Sequence, residues 1–202
     1  MPRVESFERY SKEYDEWFIK NRDVYLAEVN AVKGLIPSGK FGVEVGVGTG
    51  RFAIPLGIKV GVEPSKRMAE IAKERGVQVY RAVAEALPFK EESFDFVLMV
   101  TTICFVDDLL ASFKEAYRVL KTKGFIIVGF VDKESELGKQ YQLKREKSKF
   151  YKHATFYSVR EVMDFLRRAG FEITIVKQTV FSLGNIMDLV EEGYGRGSFI
   201  VI

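Results

Sequence analysis

The sequence has one cysteine, Cys104, and no long apolar run. A single cysteine excludes an intramolecular disulfide and a cysteine-based zinc site, so we expect no metal site. A lone thiol fits a reducing cytoplasm. No apolar run reaches the roughly 20 residues that cross a bilayer, and the charged opening stretch MPRVESFERY lacks the core of a signal peptide. These absences predict a soluble, cytoplasmic protein.

An excess of positive charge is also lacking. Lysine and arginine number 31 against 28 aspartate and glutamate residues, a net charge of +3 at pH 7. So small an excess creates no global basic field for nucleic acid. With 202 residues, the chain can bury one full core and little beyond it. We therefore expect residues 1–202 to form a single domain.

The chain alternates strand and helix patterns. The pattern predicts strands at 41–46, 58–63, 77–81, 94–100 and 125–131, and helices at 6–36, 65–75, 107–120 and 158–168. Two further strands, 171–181 and 197–202, end the pattern and are expected to pair; the connection between them is a short helix or a loop. Residues 132–157 are polar and aromatic, which predicts a helix with loops. Repeated strand–helix–strand units indicate a parallel sheet covered by helices on both faces.

The stretch VEVGVGTGRF (43–52) places Gly46, Gly48 and Gly50 one residue apart behind a buried strand. Bare backbone at such density suits the close approach of a ligand. The dinucleotide fingerprint G-x-G-x-x-G would need its third glycine at position 51, where this chain has Arg51. The shifted spacing therefore speaks against a pyrophosphate, and a nicotinamide-dependent oxidoreductase is the less favoured interpretation.

Several stretches, in order, resemble the class I S-adenosylmethionine (SAM) methyltransferases, in particular the ubiquinone/menaquinone group. They are VEVGVGTGRF, GVEPSKRM (61–68), AEALPF (84–89), SFDFVLMVTTICFVDD (93–108), EAYRVLKTKGFIIV (115–128) and FYSVREVMDFLRRAGF (156–171). The resemblance runs from about residue 40 to 175 and returns at the end of the chain. It implies a doubly wound, Rossmann-like α/β fold with a seven-stranded sheet of order 3-2-1-4-5-7-6 and strand 7 antiparallel. It also implies an N-terminal helical lid (1–36) and a substrate-side insertion (132–157).

The resemblance further implies a set of SAM-binding residues. They are Glu44 at the methionine ammonium, Gly46, Gly48 and Gly50 beside the amino acid and ribose, Glu63 and Pro64 at the ribose hydroxyls, Ala84 and Glu85 at the adenine, Thr101 or Thr102 at the methionine end, and Tyr14 and Trp17 in the lid. A carboxylate at the end of the second strand can accept hydrogen bonds from both ribose hydroxyls.

Each assignment has a structural alternative. Glu63 can instead be an acid favoured by the start of a helix, and Glu85 a solvated loop acid. Tyr14 and Trp17 can belong to an aromatic stripe that packs on the core. Many family members have an aspartate where this chain has Val83, so the backbone N–H groups of the adenine loop are left to recognise the ring. Met68 and Leu87 are expected to flank the ring or to lie in the core.

The methyl acceptor is less clearly encoded. Methyl transfer from a sulfonium requires alignment and desolvation of the nucleophile more than a base, so no catalytic residue is assigned. His153 is either a base or a surface residue. TTIC (101–104) lacks the Asn/Asp-Pro-Pro-aromatic stretch of nucleic-acid base methyltransferases. We expect a small-molecule acceptor enclosed by aromatic residues from the following set: Phe150, Tyr151, Phe156, Tyr157, Tyr14 and Trp17.

Three other interpretations remain at this stage. A basic and aromatic segment, with Lys144, Arg145, Lys147, Lys149 and Lys152, is either a solvated helix face or a small RNA-binding patch. A non-catalytic SAM-binding regulatory module would carry the same cofactor residues. The third is the NAD-dependent oxidoreductase. The sequence predicts neither the acceptor atom nor the oligomeric state, and Cys104 is expected to be a packed thiol.

Overall fold

A computed structural model describes residues 4–181 and 189–202. The strands of this part of the chain are β1 Gly42–Val45, β2 Val60–Val62, β3 Gln78–Tyr80, β4 Phe94–Val100, β5 Leu120–Val131, β6 Lys177–Thr179, β7 Glu191–Glu192 and β8 Phe199–Val201. The helices are α1 Glu5–Arg9, α2 Ser11–Lys20, α3 Arg22–Lys33, α4 Ala53–Leu56, α5 Lys66–Glu74, α6 Leu109–Val119, α7 Glu136–Lys144 and α8 Val159–Arg168, with 3-10 turns at Arg145–Lys147 and Tyr151–His153.

The strands form one sheet of order β3-β2-β1-β4-β5-β8-β6-β7. Strands β3, β2, β1, β4 and β5 are parallel to their neighbours, and β8 lies antiparallel between β5 and β6. The predicted order 3-2-1-4-5-7-6 is confirmed, because β8 takes the place of the seventh predicted strand. The two-residue strand β7, which the sequence does not predict, extends the edge.

The central strand β4 divides two hydrophobic cores. Val97 and Met99 face a core closed by α6 and α8, whereas Phe96, Leu98 and Val100 face a core closed by α2 to α5. Successive side chains of a strand point to opposite faces of the sheet. A strand that is buried on both faces therefore has apolar residues at consecutive positions. This arrangement places the carboxyl ends of β1, β2 and β4 at one edge of the sheet.

The predicted helix over 6–36 is wrong in its continuity. The backbone leaves the helical region at Tyr10 and at Asn21, which divides the segment into α1, α2 and α3. At the second break the Asn21 side chain donates a hydrogen bond to the Trp17 carbonyl at 3.0 Å, which competes with continuation of the helix. The breaks allow α1 to lie against α5 while α3 packs on the sheet.

The predicted strand over 171–181 is reduced to β6. Residues 171–176 have no strand beside them in the described part of the chain, and an unpaired extended segment gains no ladder hydrogen bonds. Residues 1–3 of the predicted lid and 182–188 of the last connection lie outside the described residues. Among residues 4–181 and 189–202, none of the helices has the length and apolarity required to cross a membrane.

Candidate functional site

The glycine loop follows β1 at the carboxyl edge of the sheet. Gly46, Gly48 and Gly50 have φ angles of 74°, 55° and 83°, a region that residues with a side chain rarely adopt. A Cβ atom on Gly46 would lie 2.4 Å from the Thr102 side chain. The N–H groups of Gly46 and Val47 donate to the Val62 carbonyl at 2.8 and 3.0 Å. The bare backbone therefore holds the ends of β1, β2 and β4 close together.

Glu63 follows β2 and is 7% exposed. Its Oε2 accepts a hydrogen bond from the Gly48 N–H at 2.9 Å, and its Oε1 accepts one from the Ser65 N–H at 2.8 Å. Burial raises the pKa of Glu63 to about 7, while the hydrogen bonds from Ser65 and Gly48 act in the opposite direction. Each carboxylate oxygen retains a lone pair for a further donor.

These elements surround a cleft of about 690 Å³, which we call the cofactor cleft. Predicted site residues that line it are Gly46, Gly48, Glu63, Pro64, Ala84, Glu85, Thr101 and Tyr14, together with Thr102 and Met68. The set comes from four loops and from helix α2, which the fold brings to one edge of the sheet. Such an edge is the usual ligand site of a doubly wound sheet.

Three predicted site residues do not line the cofactor cleft. Glu44 is 2% exposed, its Oε2 has no hydrogen-bond partner among the described residues, and burial raises its pKa well above the usual range. Gly50 packs against Ala72 and Val77. The Trp17 ring packs edge-on against Phe18, with centroids 5.2 Å apart. The structure places all three behind the wall of the cleft.

The sequence analysis missed part of the cleft wall. Val4, Phe7, Ala82, Val83, Val100, Phe105, Val106 and Asp107 also line it. The Phe7 ring lies 4.9 Å from Phe105 and 5.5 Å from Tyr14, both edge-on. Phe7 belongs to the aromatic stripe of the N-terminal segment, which was the available signal, but the break at Tyr10 turns the first helix over the cleft.

An ion-pair network joins helix α2 to the glycine loop. Asp15 on α2 accepts hydrogen bonds from Arg51 Nε at 2.9 Å, Arg75 Nη1 at 2.7 Å and Thr49 Oγ1 at 2.7 Å. Burial acts to raise the pKa of Asp15, but the hydrogen bonds from Arg75 and Arg51 outweigh it and hold the pKa well below its usual range. Arg51, which replaces the fingerprint glycine, therefore has a structural partner in α2.

Glu85 has a role that neither sequence interpretation includes. Its Oε1 accepts hydrogen bonds from the backbone N–H groups of Asp107 at 2.7 Å and Asp108 at 3.1 Å. The side chain thus ties the loop after β3 to the start of α6, and the backbone of Ala84 is left facing the cleft. Leu87 is buried in the core, and its N–H donates to Glu115 at 2.8 Å.

A second, smaller cavity of about 340 Å³ adjoins the cleft; we call it the aromatic chamber. It is lined by Thr101, Ile103, Cys104, Phe130, Val131, Tyr141, Tyr151, Phe156 and Tyr157. The Tyr141 and Tyr151 rings stack with centroids 4.9 Å apart. Tyr151, Phe156 and Tyr157 therefore line the chamber, whereas Phe150 packs on Phe7 of α1 and Tyr14 of α2. His153 is exposed and lines neither cavity.

Thr101 lines both cavities. Its φ angle is 51°, which is unusual for a β-branched residue and characteristic of functional sites. Within residues 4–181 and 189–202, no group of three His, Cys, Asp or Glu side chains is arranged to hold a metal ion. The exposed basic residues of the 144–152 segment lie outside both cavities, and Lys149 pairs with Glu13 at 2.7 Å.

The sheet order, the glycine loop and the buried acid after β2 together define a SAM-dependent methyltransferase. Residues 43–128 match the Methyltransferase domain family. A SAM-dependent methyltransferase of Thermotoga maritima, described as a possible histamine N-methyltransferase, has the same fold with a TM-score of 0.94. It is 57% identical, and the match covers 98% of this chain and 97% of that chain. The chain therefore belongs to the class I SAM-dependent methyltransferases and is an enzyme.

Two relatives extend this comparison. A protein of Methanocaldococcus jannaschii is 48% identical over 198 residues, which are 97% of this chain and 96% of that protein. The demethylmenaquinone methyltransferase of Staphylococcus aureus is 30% identical over 137 residues, which are 60% of this chain and 56% of that enzyme. The second match is partial, and it supports membership of the class I SAM-dependent methyltransferases.

Proposed function

We propose that the protein binds SAM in the cofactor cleft and transfers its methyl group, by in-line displacement, to a small-molecule acceptor in the aromatic chamber. The position of Thr101 carries this proposal. Because this one residue lines both cavities, a cofactor in one and an acceptor in the other would meet beside it.

The residues present fit SAM. The molecule has no phosphate, and the carboxylate of Glu63, held by two backbone N–H groups, suits the two hydroxyls of its ribose. Among the described residues, the Met68 and Tyr14 side chains alone lie within 4 Å of the position of the missing Cβ of Gly48, so a ligand can approach its backbone. When bound, SAM would supply an electrophilic methyl group on a sulfonium.

We further propose that residues 1–202 act as one methyltransferase domain. In this proposal residues 1–36 form a lid, held by Asp15 and by Glu8, whose carboxylate accepts hydrogen bonds from the backbone at Lys66 and Arg67. Residues 132–157 supply the acceptor side, since Tyr141 and Tyr151 line the chamber. Membership of the methyltransferase family argues against the nicotinamide-dependent alternative.

The acceptor is proposed to be a small amine. The relative from Thermotoga maritima carries the description of a possible histamine N-methyltransferase, and aromatic walls favour a flat or cationic group. Histamine, 2-phenylethylamine and putrescine form a suitable set of probes, which we call the amine panel. A hydroxyl and a thiol of similar size serve as comparisons.

Calorimetry with S-adenosylhomocysteine (SAH), the product of SAM, tests the cofactor assignment. We expect a Kd of about 1–100 μM for SAH and no binding of NAD. Glu63→Gln should weaken SAH binding at pH 8, whereas Glu74→Gln, an exposed residue on α5, should leave it unchanged. Binding of NAD in place of SAH would contradict the proposal. Formation of SAH from SAM in the presence of the amine panel tests the reaction itself.

A further inference from the structure

The turn that follows β4, residues 101–105, lies between the cofactor cleft and the aromatic chamber, and we call it the partition. Its residues face different cavities: the cleft is lined by Thr102 and Phe105, the chamber by Ile103 and Cys104, and both by Thr101. The partition is therefore the structural element that one cavity shares with the other. A methyl group that leaves the cleft for the chamber has to pass beside it.

Phe105 has the largest side chain of the partition, and its surroundings hold it in place. The ring stacks on Tyr151, with centroids 5.9 Å apart and an interplanar angle of 16°, and Phe7 of α1 packs against it edge-on at 4.9 Å. The Phe105 N–H donates to the Thr102 carbonyl at 2.9 Å. Because Phe105 lines the cleft and Tyr151 lines the chamber, the two stacked rings lie between the cavities.

The chamber side of the partition is held as well. The Thr155 N–H donates to the Cys104 carbonyl at 2.9 Å, and Tyr151 stacks in turn on Tyr141 of α7, with centroids 4.9 Å apart. Close-packed side chains of this kind stay in one rotamer and leave few voids. The passage beside Thr101 is thus bordered by a fixed aromatic wall, the Phe105 and Tyr151 rings.

We propose that Phe105 is a specificity-determining residue, whose ring restricts the passage between the two cavities to a narrow, unbranched acceptor group. This inference rests on the proposed function and deepens it. An amine on a CH₂ group, as in 2-phenylethylamine, can extend its nitrogen past the wall toward the cofactor. An amine on a branched carbon, as in 1-phenylethylamine, brings a methyl group against the ring, and a close-packed wall makes no room for that group without strain.

Cys104 allows the wall to be tested without knowledge of the acceptor, because it lines the chamber and is the only cysteine of the chain. The variant Phe105→Leu removes the ring. We expect monobromobimane, a bicyclic thiol reagent, to label Cys104 about tenfold faster in this variant than in the parent protein, since the reactivity of a thiol follows its access. Saturating SAH, which would fill the cleft, should remove the increase.

Two control variants separate the wall from a general loss of packing. Phe105→Tyr keeps the ring and should be labelled at the rate of the parent protein. Phe171→Leu removes a ring that packs edge-on against Tyr117, outside both cavities, and should also leave the rate unchanged. Equal labelling of Phe105→Leu and the parent protein, with and without SAH, would overturn the proposal. If Phe105→Leu does not fold, Phe105→Met, with a flexible side chain, takes its place.

The choice between two acceptors gives a readout that a structural role would not change. The parent enzyme should prefer 2-phenylethylamine to 1-phenylethylamine, and in Phe105→Leu the ratio of the two kcat/KM values should fall about tenfold, the order expected for one carbon in a pocket. Both acceptors are measured at the same SAM concentration, so that any effect on the cofactor cancels in the ratio. An unchanged ratio would overturn the assignment of specificity to Phe105 even if labelling became faster.

Failure of this inference can be distinguished from failure of the proposed function. If the parent protein does not bind SAH, the proposed function fails, and the labelling rate of Cys104 without ligand still decides whether Phe105 closes the passage. If SAH binds but neither amine is methylated, the amine acceptor of the proposed function is wrong, and labelling with and without SAH decides the role of the wall.

Discussion

The cofactor cleft and the aromatic chamber adjoin at Thr101, yet they are built in different ways. The cleft is lined mainly by residues of the loops that follow β1, β2, β3 and β4, with Gly46 where a side chain would collide with Thr102. The chamber is made of side chains from β5, α7 and the turn at 151–153. A site made from local backbone geometry leaves a spacing that can be read in the sequence. A site made from side chains of distant segments has no characteristic spacing in the sequence.

The largest effect on the cofactor cleft is expected from a substitution at Gly46. Gly46→Ala adds a Cβ at 2.4 Å from the Thr102 side chain and keeps a φ of 74°. The strained backbone costs about 1–2 kcal/mol and the overlap about 1–3 kcal/mol more. We expect a loss of about 2–5 kcal/mol in the free energy of unfolding, measured by urea denaturation, and SAH affinity at least 100-fold lower.

Gly39→Ala is the matched control for that change. Gly39 has the same φ of 74°, but no atom lies within 4 Å of the position of its Cβ. It should show the cost of the backbone conformation alone, about 1–2 kcal/mol, with unchanged SAH affinity. An equal loss of SAH affinity in both variants would mean that the cleft does not depend on the close approach at Gly46.

The next largest effect is expected at Asp15, which joins the lid to the cleft. Asp15→Asn leaves Arg51 and Arg75 partly buried without their charge partner. Removing one member of a fully buried pair costs about 3–5 kcal/mol; because these side chains are 16–30% exposed, we expect about 2 kcal/mol. Since the lid would be held less firmly, SAH should also dissociate faster, which stopped-flow fluorescence of Trp17 can measure.

Glu13→Gln, on the same helix, is the control. It shows whether the loss of stability in Asp15→Asn comes from the ion-pair network or from any change in α2. Glu13 pairs with Lys149, and both side chains are more than half exposed, so the change should cost less than about 0.5 kcal/mol.

The contribution of Asp15 to folding stability depends on pH with the opposite sign to that of a buried acid whose pKa is raised. The pKa of Asp15 is lowered in the folded state, so its contribution to stability is present above about pH 4 and is lost as the pH falls further.

The pH dependence of SAH affinity tests the role of Glu63 in the cofactor cleft. Its pKa of about 7 means that the carboxyl is largely neutral at pH 6 and ionised at pH 8. If the ionised form accepts the ribose hydroxyls, SAH affinity should rise up to about tenfold over this interval. Calorimetry of Glu63→Gln should show no such rise. A flat profile in the parent protein would contradict the contact between Glu63 and the ribose.

The contribution of Glu63 to folding stability should change with pH in the direction opposite to the change in SAH affinity. Its pKa is raised above the unfolded value of about 4.3, so burial of the carboxyl is tolerated below that pH. The resulting stability is lost as the pH rises toward the folded pKa of about 7. Ligand affinity and stability should therefore change in opposite directions with pH, and unfolding curves with and without SAH can show both.

The smallest effect is expected on the chamber side. Tyr151→Phe removes one hydroxyl and keeps the stacking on Tyr141, so we expect the KM for an amine acceptor to rise about 3- to 10-fold, roughly 0.7–1.4 kcal/mol. SAH affinity should be unchanged. Tyr80→Phe, on the exposed edge strand β3, is the control. A change in SAH affinity with no change in KM would place Tyr151 on the cofactor side.

The residues of the cofactor cleft could be predicted one by one from the sequence, whereas those of the aromatic chamber could not. Gly46, Gly48, Glu63 and Thr101 were predicted because each lies at a strand end, and chain order determines where parallel strands end. All four line the cleft, and their contact with SAM stays a prediction. Glu44 and Gly50 belong to the same motif, yet they lie behind the wall of the cleft, since alternate residues of a strand and its turn point in different directions. The acceptor residues were predicted only as a group.

The sequence by itself determined the sheet order, the glycine loop and the acid after β2, because these features depend on hydrophobic periodicity and on backbone conformations that few residues can adopt. Only the tertiary structure decided how the lid divides at Tyr10 and Asn21 and which partner Arg51 has. Asp15 is 36 residues from Arg51 and 60 from Arg75. Contacts across such separations arise from packing of whole elements and leave no local pattern in the sequence.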